Sequence, residues 1–247
     1  MKEPRVVVWF SCGAASAVAA KLATQEYGDR CIVAYCDTGG EHPSNKKFLK
    51  DIEKWIGKEI TVLKNKKGYT SHFDVFRKTK YLNGVLGARC TIELKKKCRF
   101  DFQKHDDIHV FGYTSEEKNR AERFNEQNFE LATDWILIRK GVSKEDCLGI
   151  LWRERIDIPT MYDQGYQHNN CVGCSKGGMG YWNQIRKDYP ESFKEMASIE
   201  REINHSLFRN EDGSRLYLDE LPPTAGNFKK EPPIICGLSC GEILNNI

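Results

Sequence analysis

Apolar positions in this chain alternate between short continuous runs and stretches spaced as on one face of a helix. Arg5 to Phe10 is continuous, β-branched and aromatic, as expected of a strand buried on both faces of a parallel sheet. Ser11 to Ser16 carries small side chains only, and Ala14 to Leu22 has helical propensity throughout. Cys31 to Asp37 repeats the buried-strand pattern and ends in Asp37-Thr38-Gly39-Gly40. Asn45 to Ile56 then places Phe48, Ile52, Trp55 and Ile56 on one helical face, and Glu59 to Lys64 reads as a third strand. This βαβαβ order predicts an α/β fold, doubly wound, with a mostly parallel sheet, helices on both faces and right-handed crossovers.

Between 66 and 107 the periodicity is broken by Gly68, Gly84 and Gly87 and by frequent basic residues. His109 to Tyr113 predicts another strand, delivering Gly112-Tyr113-Thr114-Ser115 into a charged helix over Glu116 to Gln127. Trp135 to Ile138 reads as the next strand. Ser143, with Asp146 three residues on, is an N-cap signal for a helix that carries Cys147, Ile150, Leu151 and Ile156 and stops near Pro159. Tyr162 to Gly180 is rich in Gly, Asn and Cys and reads as a purposeful loop. Tyr181 to Ser206 is a long helical stretch that Pro190 should break or kink, and the tail from Leu207 holds Pro222-Pro223 and Pro232-Pro233. The expected organisation is an α/β domain over residues 1–160, with a helical, cysteine-containing extension over 161–247 packed on it.

Composition narrows the function classes. The formal charge of +3 is too small to point to nucleic-acid binding by itself, though Lys95, Lys96, Lys97 and Arg99 form a local basic run. No apolar run approaches the roughly 20 residues of a membrane span, and Met1 to Arg5 lacks the layout of a signal peptide, so the chain is expected in the cytosol, away from membranes. Ten cysteines in that compartment favour metal ligation or thiol chemistry over a disulfide framework.

A strand that feeds a helix through small residues leaves backbone N–H groups and the positive end of the helix dipole facing outward, where a phosphate can settle. Ligands of open α/β sheets sit outside the carboxyl ends of the strands, so Asp37 should open onto the same crevice as Ser11 to Ser16. Cys171-x-x-Cys174 and Cys236-x-x-x-Cys240 are two close pairs, each able to reach one ion; four thiolates suit zinc and a [4Fe-4S] cluster alike. Such a site would pin the Pro-rich tail onto the loop before the long helix. Cys31, Cys36 and Cys147 fall among apolar residues and read as small buried hydrophobes, while Cys98 is left open. The Lys95 to Lys97 run reads as a solvated face. Tyr181 and Trp182, at helical spacing with Ile185, read as core. His42 and His168 read as loop histidines, His168 being near enough to Cys171 to act as a replacement ligand or a donor behind one.

Taken together and in order, these segments resemble the PP-loop superfamily, and more closely its phosphoadenosine phosphosulfate reductase-like branch, which includes sulfotransferase-like proteins of phage genomes. Ser11 to Ser16 stands where that family has S-G-G-x-D-S. Asp37-Thr38-Gly39 with His42-Pro43 is similar to D-T-G-x-x-x-P, and Cys90-Thr91 with Leu94-Lys95 to C-T-x-x-L-K. Gly112 with Glu116 or Glu117 and Arg120 resembles G-x-R-x-x-E-S-x-x-R; Tyr162, Gly165, Cys171 and Cys174 resemble the late Y-x-x-G and C-x-x-C. The resemblance implies adenine-nucleotide chemistry: attack at the α-phosphate of ATP with loss of pyrophosphate, or cleavage of an adenylyl sulfate.

Carried over by position, Ser11, Gly13, Ala14 and Ser16 would cradle phosphate. Asp37, Thr38, Gly39 and Gly112 would lie beside the nucleotide, Asp37 helping to hold magnesium. Lys95 and Arg120 would offset phosphate charge in the transition state. Cys12 stands for the first glycine and Ala15 for the Asp, and the loop has no Lys, so backbone donors alone remain. The resemblance also offers Cys90 as a cluster ligand with Cys171 and Cys174, or as a sulfur-carrying thiol. It offers Cys236, in a segment similar to E-C-G-L-H, as a nucleophile instead of a ligand partnered by Cys240. The implied partners are an adenine nucleotide, a sulfur donor or thiol reductant such as thioredoxin, and an acceptor left open among small molecules, tRNA and DNA. A homodimer, and a chain that keeps the nucleotide but has lost catalysis, stay open as well.

Overall fold

The computed structural model describes residues 3–84, 87–234 and 236. Strand β1 (Val6–Phe10) leads into α1 (Ala14–Tyr27), β2 (Cys31–Cys36) into α2 (Ser44–Ile56), and β3 (Ile60–Leu63) into α3 (His72–Thr79). A two-stranded turn, β4 (Asn83–Gly84) and β5 (Gly87–Ala88), follows, then α4 (Arg89–Thr91), one π-type turn over Ile92–Lys96 and α5 (Lys97–Phe102). The chain continues through β6 (Ile108–Phe111), α6 (Lys118–Gln127), β7 (Ala132–Asp134), α7 (Ile136–Arg139), α8 (Lys144–Arg153) and α9 (Thr160–Asp163), and then α10 (Met179–Asp188) and α11 (Pro190–Glu202).

The main sheet has five strands in the order β3-β2-β1-β6-β7, every neighbouring pair parallel. The order turns back between β1 and β6, and both strands end at the same edge. That makes the mouth between Ser11 and Gly112 the natural ligand crevice. Val6, Val8 and Phe10 face one core with Ala17, Ile52 and Leu151 of the covering helices; Val7 and Trp9 face a second with Cys98 and Phe124. Helices therefore cover both faces, as the continuous apolar runs require. A third cluster, centred on Trp182, Met196 and Ile199, draws in Phe76 and Leu82 from the chain before the sheet is complete.

One element differs from the sequence expectation. Trp135–Ile138 is not a strand: the edge strand comes just before it, and Ile136 and Leu137 enter the core from a single helical turn. Tyr181 to Ser206 is broken at Pro190 as expected: with no N–H to give, Pro190 occupies the first turn of α11 and fixes the break at Tyr189.

Inside the second core, Trp9 Nε1 donates to His109 Nδ1 at 2.9 Å, and burial together with nearby Arg99 pushes the His109 pKa down to about 4. The folded imidazole is thus neutral where the unfolded one, at about 6.5, takes a proton. The stability this contributes is complete above pH 6.5 and is lost as pH falls towards 4. His109→Asn keeps an acceptor for Trp9 without the titration; its Tm is expected to fall less than wild type between pH 7 and 5 in thermal melts.

Candidate active site

The loop after β1 holds its shape through one side chain. Ser16 Oγ accepts from the amides of Ser11 (3.1 Å) and Gly13 (3.3 Å) and from the Ser11 hydroxyl at 3.1 Å, and donates to the Gly13 carbonyl at 2.9 Å. The Ala14 amide donates to the Tyr162 hydroxyl, which stands over Gly13. The expectation of a fully open cradle is therefore corrected: Ser11, Gly13 and Ala14 already have protein acceptors, while Ala15 and Ser16, in the first turn of α1, lack intrahelical ones. Cys12 takes a left-handed φ of 55° and turns its thiol inward, fully buried, where burial raises its pKa. Asn169 ties this turn to the late loop, donating to the Cys12 carbonyl at 2.7 Å and to Asn45 Oδ1 at 2.8 Å. Gly112 closes the other side, its Cα so near the Ser16 backbone that a methyl there would stand 2.7 Å away.

Asp37 follows β2 at this same edge. Its Oδ1 accepts from the Gly39 amide at 2.9 Å, and its partly exposed carboxylate lies 4.0 Å from Lys64. Gly39, at φ 63°, packs on the Thr70 carbonyl, and Gly40 leaves room for the buried His72 ring, so this turn tolerates no side chain at either position. The turn then pairs with the cysteine loop: Glu41 bridges Cys171, and the Val172 amide donates to the Gly40 carbonyl at 2.9 Å. Thr38 Oγ1 and Cys171 Sγ are 3.2 Å apart.

Four thiols converge where these loops meet. Cys90, at the start of α4, lies in the electrostatic field of Cys171, Cys174 and Cys236, and each of these in turn feels Cys236 or Cys90. Burial raises the pKa of Cys90, Cys171 and Cys174. Burial opposes ionisation of Cys236 too, but Lys95 and Lys176, with the Thr91 hydroxyl 3.9 Å from the sulfur, prevail and lower its pKa. Lys95 is only 9% exposed, which corrects the solvated-face reading. The π-type turn adds a residue to the helix and directs Lys95 inward, where Nζ donates to the Cys236 carbonyl at 3.5 Å. Burial would depress its pKa, yet Cys236, Glu41 and Cys171 more than compensate and raise it. Lys97 of the basic run pairs with Glu93, a carboxylate 1% exposed that also pairs with Lys67 and Arg89. Cys240 lies outside the described residues.

Arg120 lies on α6, its guanidinium 4.1 Å above the Tyr113 ring, with Nη1 donating to Glu117 at 2.6 Å. The field of Arg120 and Glu117 reaches His168, whose pKa burial pushes down to about 4.

Residues 5–177 match the phosphoadenosine phosphosulfate reductase domain. The chain belongs to that family. It is a family of nucleotide-dependent sulfur transfer. A relative of Methanocaldococcus jannaschii, itself uncharacterised, is 23% identical over 220 residues, covering 84% of this chain and 44% of its own length. The chain thus spans less than half of that relative. Among solved structures, the U34-tRNA thiolase NcsA of Methanococcus maripaludis, determined with its [4Fe-4S] cluster, is 12% identical with a TM-score of 0.49, over 83% of this chain and 74% of that one.

For a phosphoadenosine phosphosulfate reductase-like chain, the donor set at the thiol centre suits a soft metal. Four sulfurs with two ammonium groups beside them match the net negative charge of a thiolate-held zinc or iron–sulfur centre. Among the described residues, no three His, Cys, Asp or Glu side chains stand at metal-ligand spacing as they are. Cys31, Cys36 and Cys147 are buried with apolar neighbours as expected, and Cys98 joins them, sharing a hydrogen bond with Cys36.

Several residues at this edge carried no signal in the sequence. Glu41 is a half-buried carboxylate that accepts from Tyr35 at 2.7 Å and Asn45 at 2.8 Å; desolvation raises its pKa against the pull of Lys95. Tyr181 does belong to the core, but its hydroxyl also accepts from the amides of Gly173 (3.1 Å) and Cys174 (2.9 Å) and donates to the Cys171 carbonyl at 3.3 Å. Tyr181→Phe leaves those buried amides unpaired, at about 1–3 kcal/mol in stability. A lower urea midpoint, with faster alkylation of Cys174, is the expected result.

Proposed function

We propose that the chain is an adenine-nucleotide-dependent sulfur or sulfo transferase that works at a thiolate-held metal centre. The observation that carries this reading is the convergence of Cys90, Cys171, Cys174 and Cys236 around Lys95, at the strand edge that also presents Ser11–Ser16, Asp37 and Gly112. ATP or an adenylyl sulfate would enter between β1 and β6. The Ala15 and Ser16 amides receive phosphate, and Ser11, Gly13 and Ala14 join when Ser16 and Tyr162 give up their bonds. Thr38 and Gly39 shape the adjoining wall. Asp37 supplies one hard oxygen for magnesium. Lys95 and Arg120 balance negative charge, Lys95 on the thiol side and Arg120 on the α6 side.

Cys90, Cys171 and Cys174 would hold the metal, with Cys236 or Cys240 completing the set. A bound iron–sulfur centre would supply a site for sulfur, and a zinc would fix the tail. The lowered pKa of Cys236 favours a second reading, in which its thiolate attacks the sulfur of an adenylyl sulfate, the nucleotide leaves on its phosphate oxygen, and a thioredoxin-type dithiol then displaces sulfite from the S-sulfocysteine and is itself oxidised to a disulfide. Pyrophosphate release from ATP supports the first; sulfite release from phosphoadenylyl sulfate with a dithiol supports the second. Nucleotide binding without either product would leave a catalytically silent module and overturn both.

A further inference from the structure

Next in the chain to the segments that carry Cys90 and Cys174 lies a cleft of about 480 Å³ that none of Ser11 to Ser16 lines. One wall is the paired strands β4 and β5, with Asn83, Gly87 and Ala88; the other is the segment that follows α11, with His205 and Arg209; Lys176 forms part of its lining. Its charged groups are all of one sign, and no carboxylate lines it among the described residues. Glu200, whose carboxylate accepts from Leu207 in that wall, is fully buried and also accepts from the Leu218 amide at 2.6 Å. Asn83 fixes the opposite wall by donating to the Ser175 carbonyl at 2.7 Å, which ties the turn to the segment just past Cys174.

The cleft adjoins the thiol centre through short stretches of chain. Ala88 immediately precedes α4, which carries Cys90, and Lys176 follows Cys174 by two residues. The field of Lys176 reaches Cys90, Cys174 and Cys236 together. An anion seated on Lys176 and Arg209 would therefore share Lys176 with the thiols, in a cleft that none of the proposed nucleotide residues lines.

The geometry points to a second anion site here, one that takes the tetrahedral oxyanion of the reactant meeting the thiols. Lysine and arginine donate charge-assisted hydrogen bonds that suit such an oxyanion, and the volume leaves space for a body larger than the anion itself. The assignment rests on the thiol-centre reading for what the ligand does, and on the cleft alone for its binding.

Calorimetric titration of the whole chain with sodium thiosulfate and, separately, with inorganic phosphate, both under saturating ATP, tests it. Lys176→Met and Arg209→Gln are each expected to weaken binding about tenfold or more. Arg209 is exposed and donates to the Gly213 carbonyl of its own turn at 2.8 Å, so its replacement is expected to disturb at most that turn. Tighter binding of thiosulfate identifies a sulfur oxyanion as the occupant, and tighter binding of phosphate identifies a phosphate of the other reactant; both support the site. The absence of saturable binding by either anion, or binding unchanged in both variants, overturns it. Cys171→Ser separates the two readings: loss of metal with anion binding intact supports both, whereas metal retained with anion binding intact leaves the cleft standing and removes the thiol centre.

Discussion

Lys95→Met is expected to abolish turnover to within about one hundredth of wild type and to move alkylation of Cys236 to higher pH. Lys95 is buried among Glu41, Cys171 and Cys236, and its charge is the largest of the influences, with Lys176 and Thr91, that hold the Cys236 thiol below its ordinary pKa. Taking away one member of a buried charged set leaves the others without a counter-ion, which costs about 3–5 kcal/mol in comparable sites. The protein avoids that cost by protonating the thiol. Iodoacetamide labelling of Cys236 across pH, read by mass spectrometry, measures the shift directly. Lys95→Arg, which restores the charge with different geometry, should recover the labelling profile better than the turnover. An unchanged profile in Lys95→Met would separate Lys95 from Cys236 and remove the electrostatic basis of the site.

The second large effect belongs to Gly112. A methyl group there would meet Ser16 Cα and N at 2.7 Å and the Ala15 carbonyl carbon at 3.0 Å, all of them backbone atoms that no rotamer change can move aside. Either β6 or the turn after β1 must shift. Overpacking of this kind costs about 1–3 kcal/mol, and here it also displaces the amides that receive phosphate. Gly112→Ala is expected to lower the urea midpoint and to weaken ATP binding at least tenfold. Gly149 is the matched control: it lies inside α8 with nothing near its Cα, and Ala is favoured in a helix. Gly149→Ala should leave nucleotide binding unchanged and raise stability slightly. Equal effects of the two substitutions would show that the close approach of Gly112 to Ser16 has no bearing on the ligand.

The sheet was legible because β1 and β2 are buried on both faces and leave an unbroken apolar signature, and because parallel pairing puts Ser11, Asp37 and Gly112 at one edge. Trp135–Ile138 misleads for the same reason: a short aromatic and β-branched run has no period long enough to tell a strand from one turn of helix. The stretch through Cys90 and Lys95 resists reading because Glu93, Lys95 and Arg99 are buried charges, and each removes an apolar position from the helical pattern. Glu41 is invisible for a related reason. A lone glutamate after two glycines carries no signal, and its role comes from Tyr35, Asn45 and Cys171, brought to it only by folding. The cysteine spacing did place Cys171 and Cys174 in one loop. That Tyr162 and Ser16 occupy part of the phosphate loop depends on hydroxyl directions, about which spacing says nothing.

Elemental analysis of anaerobically purified protein, with iron, acid-labile sulfide and zinc measured per chain, bears most directly on the thiol centre. Wild type is expected to carry stoichiometric iron and sulfide, or stoichiometric zinc, and Cys90→Ser, Cys171→Ser and Cys174→Ser should each reduce it to background while the chains remain folded by circular dichroism. A wild-type chain free of both metals, or three variants that retain them, would contradict the assignment of these cysteines to one centre.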